Sequence, residues 1–111
     1  MIDLNELAIN AYDTARKREK NGANNKTDIR SMLKHCATEV VEAMEAYAKA
    51  EEHYEHCGFS YTYSTDFVGE LADIITCVLI ICGGGNIDIE AALEECQKKN
   101  KARANRQGDK L

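Results

Sequence analysis

The sequence predicts an all-α chain, a compact bundle of about four helices completed by oligomerisation. Three observations predict it. The 111 residues contain no proline, so no fixed-φ residue interrupts a helix. Alanine, leucine, lysine and glutamate dominate the long segments, and these residues have high helix propensity. Apolar residues recur at spacings of three and four, with glycine, asparagine, serine and threonine clustered between the runs. At this length one domain over 1–111 is expected. It divides into an N-terminal helix and turn (1–27), the helical body, and a polar tail (106–111).

Residues 3–20 read as the first helix, with Leu4, Leu7, Ala8, Ala11 and Ala15 as a thin apolar stripe. KNGANNKT (20–27) is turn chemistry, and Thr27 or Asp28 is placed to cap the second helix by accepting from a free N–H. That helix runs to about His56, with Leu33, Ala37, Val40, Val41, Met44, Tyr47 and Ala48 at helical spacing. GFSYTYS (58–64) is a connector. A third helix covers Asp66 to Cys82, capped by Ser64 or Thr65 and stopped by Gly83, Gly84, Gly85 and Asn86, with glycine free to take positive φ. Asp88 caps a fourth helix reaching about Asn105. Helices 2 and 3 should pack antiparallel.

The net charge of −5 argues against nonspecific attraction to nucleic acid or an anionic membrane, and no stable nucleic-acid complex is expected. The five cysteines form no CxxC pair, which suits free thiols in a reducing cytoplasm. The opening MIDLNELAIN has acids and no basic stretch before an apolar run, unlike a secretory signal. The apolar run Ile74–Gly85 is too short to span a membrane. A cytoplasmic protein is the expectation.

One feature demands chemistry. In FVGELADIITCVLII (67–81) the only charged residues are Glu70 and Asp73, three apart and so on one face. Their neighbours Phe67, Val68, Leu71, Ile74, Ile75 and Val78 are apolar. A helix apolar nearly all round should be largely buried, and carboxylates inside it are costly unless paired or bound to metal. The second helix offers another such pair, Glu39 and Glu42, beside Leu33, Val40 and Val41. Four converging carboxylates repel one another. A hard divalent cation relieves that repulsion, and oxygen-only ligands suit Mg2+ or Mn2+. The bland reading is that Glu39 and Glu42 are surface acids like Glu45, Glu51, Glu52 and Glu55, with Glu70 and Asp73 on a wet stripe or paired with lysines.

At these residues the chain resembles the MazG-like all-alpha nucleoside triphosphate pyrophosphohydrolase superfamily. The matching stretches are TEVVEAMEA (38–46), GELADIITCVLIICG (69–83), DIEAAL (88–93) and KKNKAR (98–103), within roughly 30–106. The resemblance implies Mg2+-dependent hydrolysis of a nucleoside triphosphate, particularly a deoxynucleoside triphosphate, to the monophosphate and pyrophosphate. It implies Glu39, Glu42, Glu70 and Asp73 as magnesium ligands; in that chemistry Glu42 or Glu39 would accept the attacking water's proton as general base. It places Lys99, Asn100 and Arg103 as phosphate-binding groups, and implies a homodimer or homotetramer. Thr38 departs from the pattern, standing where the family usually has glutamate. Two readings compete: a non-enzymatic helical protein whose acidic face binds a basic partner, and a hydrolase of another pyrophosphate-containing nucleotide.

Other signals carry less. His53, His56 and Cys57 lack a convincing fourth zinc ligand. Gly83–Gly85 lacks the lysine and hydroxyl of a phosphate loop. Arg16, Lys17, Arg18 and Lys20 read as a helix end, where positive charge suits the dipole. The basic run Lys98, Lys99, Lys101, Arg103 and Arg106 has the same structural explanation beside its phosphate role.

Overall fold

The computed structural model describes residues 2–57 and 65–105, with side chains for all of these except 53–57 and 65. Four helices follow in order: α1 (Leu4–Lys20), α2 (Ile29–Cys57), α3 (Thr65–Gly84) and α4 (Ile89–Ala104). The connector 58–64, the tail 106–111 and the side chains of His53, Tyr54, His56 and Cys57 lie outside the described residues.

Local capping sets the starts. The Asp3 side chain accepts from the Glu6 N–H, and Asp88 accepts from that of Ala91. At α2 the cap is Asp28, which accepts from the Ser31 N–H at 3.1 Å. Thr27 is used otherwise: its backbone N–H donates to Glu19 Oε2 at 2.9 Å and its hydroxyl reaches Oε1. Arg16 holds that same Oε1. Glu19 thus pins the end of the turn onto α1, and Gly22 supplies the turn's positive φ of 95°.

The core is two small clusters on α3. Leu79 and Cys82 pack with Ala8, while Cys77 and Ile80 pack with Met32 and Cys36. Helix α3 is therefore central, between α1 and α2. Its contacts run in opposite sequence order to theirs, Met32 and Cys36 near Cys77 and Tyr47 against Phe67, so α2 and α3 are antiparallel as expected. Alanines on α1 allow a close approach. A Cβ at Gly83 would overlap the Ala8 carbonyl, and one at Gly84 would meet the Tyr12 ring at 2.6 Å.

The end of α3 corrects one expectation. The positive φ falls on Asn86, at 53°, while Gly83 and Gly84 remain helical. The Ile87 N–H closes back to the Cys82 carbonyl at 2.9 Å, a left-handed cap that asparagine tolerates. The glycines serve helix–helix contact instead.

Helix α4 is tied to the start of α1. Asn5 donates to Asp88 Oδ1 and accepts from the Ile89 N–H, and the Leu4 N–H donates to Glu90 Oε1 at 2.9 Å. None of its residues is buried.

The apolar faces correct a second expectation. On α2 the residues turned inward are Met32, Cys36, Glu39 and Ala43, whereas Leu33, Val40, Val41 and Met44 are exposed. On α3, Val68, Leu71, Ile75 and Val78 are exposed too, so this helix is not buried all round. The radius of gyration, 17.2 Å, exceeds the roughly 13 Å of a compact domain of about 100 residues. An extended, flattened bundle with two open apolar faces suits completion by further copies. By length and composition Asp66–Gly84 would suffice to cross a membrane, more than the run Ile74–Gly85 suggested. Here it carries Asp66, Glu70 and Asp73 and packs on α1 and α2.

Candidate metal centre

Because α2 and α3 run antiparallel, the inward face of α2 brings Glu39 over the second and third turns of α3. Glu70 and Asp73 project there from one side of α3. Carboxylate oxygens of Glu39, Glu70 and Asp73 lie within 4.8 Å of one another. Glu39 is buried, Glu70 half-buried and Asp73 exposed. The centre is thus a funnel, closed at Glu39 and open at Asp73.

Two oxygens are left without partners. Glu39 Oε2 and Glu70 Oε2 are both inaccessible and accept no hydrogen bond among the described residues. Buried acceptors of this kind normally find a donor or a cation. Burial raises the Glu39 carboxyl to about 7, aided by the charges of Glu42 and Asp73 and by the close approach of the Glu42 and Glu70 carboxyls. Each cause disfavours negative charge at Glu39. A divalent cation in the funnel would reverse that preference. The donor set is all oxygen, from residues already orphaned or crowded, so the residues fit a hard cation.

Of the four ligands expected, three converge. Glu42 acts on Glu39 from the next turn of α2 but stays exposed and is not one of the three meeting carboxylates. Thr38 is exposed and its hydroxyl donates to the Lys34 carbonyl at 3.3 Å. Lys99, Asn100 and Arg103 stand on α4, which packs on α1 and does not line the pocket at the funnel.

That pocket, of about 300 Å³, is lined among others by Glu39, Asp73, Thr76 and Cys77 and by Arg18, Asn25, Lys26 and His35. His35 Nε2 lies 3.1 Å from Glu39 Oε1. Burial, with Cys36, Glu39 and Asp73 adding negative charge, pushes the Cys77 thiol up to about 11. It stays protonated and unreactive as a nucleophile. Cys36, Cys77, Cys82 and Cys96 are free thiols, with Cys77 and Cys82 buried, Cys36 half-buried and Cys96 exposed.

The sequence reading missed His35, Arg18, Asn25 and Lys26. His35 had a usable signal, its i,i+4 spacing to Glu39. Arg18 was hidden among helix-end cations, and Asn25 and Lys26 within turn composition.

Comparison with protein-family models, with curated proteins and with solved structures gives no match.

Proposed function

We propose that this protein hydrolyses a nucleoside triphosphate to the monophosphate and pyrophosphate with Mg2+ or Mn2+ held by Glu39, Glu70 and Asp73. The observation that carries the metal part is the pair of buried, unpartnered oxygens on Glu39 and Glu70 within a three-carboxylate cluster. The triphosphate part rests on acidic and cationic residues that line one pocket together and on the sequence resemblance. When bound, the cation would neutralise phosphate oxygens and make a water easier to deprotonate.

The chain's own residues then have distinct tasks. Glu39 and Glu70 anchor the closed end, and Asp73 meets the substrate at the open end. Glu42, exposed beside Glu39, is placed to accept a proton from the attacking water, a better general base than a fully engaged ligand. His35 orients Glu39. Lys99, Asn100 and Arg103 act on phosphates where an assembly brings α4 to the pocket. Cytoplasmic location and homo-oligomeric assembly belong to the same proposal.

A helical interaction protein with an acidic face finds support in the exposure of Asp73. It leaves the burial of Glu39 unexplained, since a basic partner would not reach Oε2. The test is incubation with each canonical ribo- and deoxynucleoside triphosphate, with magnesium or with EDTA, followed by product separation. Magnesium-dependent monophosphate and pyrophosphate, lost in Glu70→Ala, is the expected outcome. No turnover of any triphosphate and no magnesium uptake would leave the interaction protein.

A further inference from the structure

We infer that Arg18 and Lys26, with Asn25 beside them, form the wall that holds the outer phosphates, so that the α1–α2 turn supplies the anion subsite. The inference rests on the triphosphate reading and names where its polyphosphate lies. Arg18 comes from the last turn of α1 and Lys26 from the turn before α2, yet both border the pocket that contains Glu39 and Asp73. Cations gathered from two segments around a pocket that also holds two of the clustered carboxylates suit a ligand carrying several negative charges together with a cation.

Helix-dipole compensation accounts for Arg18 as it does for Lys17 and Lys20. It does not account for Lys26, which lies outside any helix. Among the described residues neither Arg18 nor Lys26 has a carboxylate within 4 Å, unlike Arg16, which Glu19 engages. Glu19 engages Arg16 and pins Thr27, and the adjacent Lys26 and Asn25 line the pocket. Arginine offers a planar fork to phosphate and lysine a mobile point charge. Asn25 adds amide donors with no charge. The closed end, with Glu39 Oε2 unpartnered and the residue 8 % exposed, suits a cation. Arg18 and Lys26 suit the anion that comes with it.

The test is calorimetric titration of inorganic pyrophosphate in the presence of magnesium, and of magnesium alone, into the full chain. The variants are Arg18→Gln, Lys26→Gln, and Lys99→Gln with Arg103→Gln. Arg18 and Lys26 are exposed, so their replacement spares the fold. Losing one charged hydrogen bond to phosphate should weaken pyrophosphate binding about tenfold in each of the first two. Magnesium alone should bind those variants equally or more tightly, because a positive charge near the site has gone. The opposed signs separate this role from structural damage, which weakens both. Unchanged pyrophosphate affinity in both variants, or a loss confined to the α4 variant, would overturn the wall while leaving the metal reading intact. A wild-type chain that takes up no magnesium refutes the metal reading itself. Metal-free pyrophosphate binding lost in Arg18→Gln would then still support the wall, and its absence would overturn both.

Discussion

His35 Nε2 sits 3.1 Å from Oε1 of Glu39, whose other oxygen is buried without a partner. One carboxylate thus has a fixed end and a free end. The histidine holds the first, and so fixes the carboxylate that meets Glu70 and Asp73. Ligating carboxylates fixed in this way bind metal more tightly than free ones. His35→Ala should therefore weaken magnesium binding about tenfold or more, with little change in thermal stability because His35 is half-exposed. His35→Gln, which keeps an N–H donor, should recover part of the loss. Equal magnesium affinity in all three proteins would show that the contact does not orient Glu39.

Glu39→Gln separates stability from activity. The amide removes a charge that burial, Glu42 and Asp73 all disfavour. In EDTA the variant should melt at a higher temperature than the parent. Its magnesium-dependent turnover should fall by about a hundredfold or more, the scale of losing a ligand or base in such chemistry. Lower stability without metal would mean that Glu39 is a satisfied structural residue.

The pH dependence follows from the same group. Glu39 rises from an ordinary 4.5 to about 7 on folding, so between those values the folded chain holds a proton that the unfolded chain has released. Stability of the metal-free protein should then decline as pH climbs from 4.5 through 7, with a slope of at most about 1.4 kcal/mol per pH unit. Below that window the order reverses. Asp28 and Asp88 are lowered from 3.8, mainly by side-chain hydrogen bonds to Ser31 and Asn5 respectively. The stability they lend is present above 3.8 and lost as pH falls past it. Denaturant melts across pH in EDTA should peak on the acid side of neutrality, and magnesium should flatten the decline toward pH 7. A flat metal-free profile would exclude a crowded Glu39.

Much of this was legible along the chain, and what was not has a physical cause. Helix starts were readable because a cap is local: Asp28 and Asp88 sit where their carboxylates meet N–H groups three residues on. Glu70 and Asp73 stood out as the only charges in an apolar run. The inward face of α2 was not readable, because both faces are apolar. Leu33, Val40, Val41 and Met44 are the more hydrophobic set, and periodicity selects them. Met32, Cys36 and Ala43 are smaller or softer, yet they pack on Cys77 and Ile80 or turn inward beside them. The pairing of Arg18 with Lys26 depends on how the turn folds back, and Glu19 decides that through space.

Two glycines of α3 should respond to alanine with opposite signs. In a helix interior Gly→Ala normally gains about 1 kcal/mol. Gly69 has no atom within 4 Å of an added Cβ, so Gly69→Ala should show that gain. At Gly83 the same methyl overlaps the Ala8 carbonyl, and forcing α1 away costs about 1–3 kcal/mol, which outweighs the helical gain. Thermal melts of the two variants should move in opposite directions. A stabilising Gly83→Ala would mean that α1 does not lie this close to α3.

The open faces make the last prediction. Leu33, Val40, Val41 and Met44 on α2, and Val68, Leu71, Ile75 and Val78 on α3, form two apolar stripes in contact with water in the single chain. Stripes of this kind on a small acidic protein favour self-association, because a second copy supplies the same apolar surface in return. The stripe on α3 carries Ile75, 58 % exposed, and that on α2 carries Met44, 66 % exposed. Light scattering on the eluting peak should give a dimer or tetramer for the wild-type chain. Ile75→Glu with Met44→Glu should shift it toward monomer, since each carboxylate would have to be desolvated at a contact. Neither residue lines the funnel pocket, so magnesium binding by the monomeric variant should persist. A monomeric wild-type chain would refute assembly through these faces, and loss of magnesium binding on dissociation would mean that the carboxylate cluster is formed only in the oligomer.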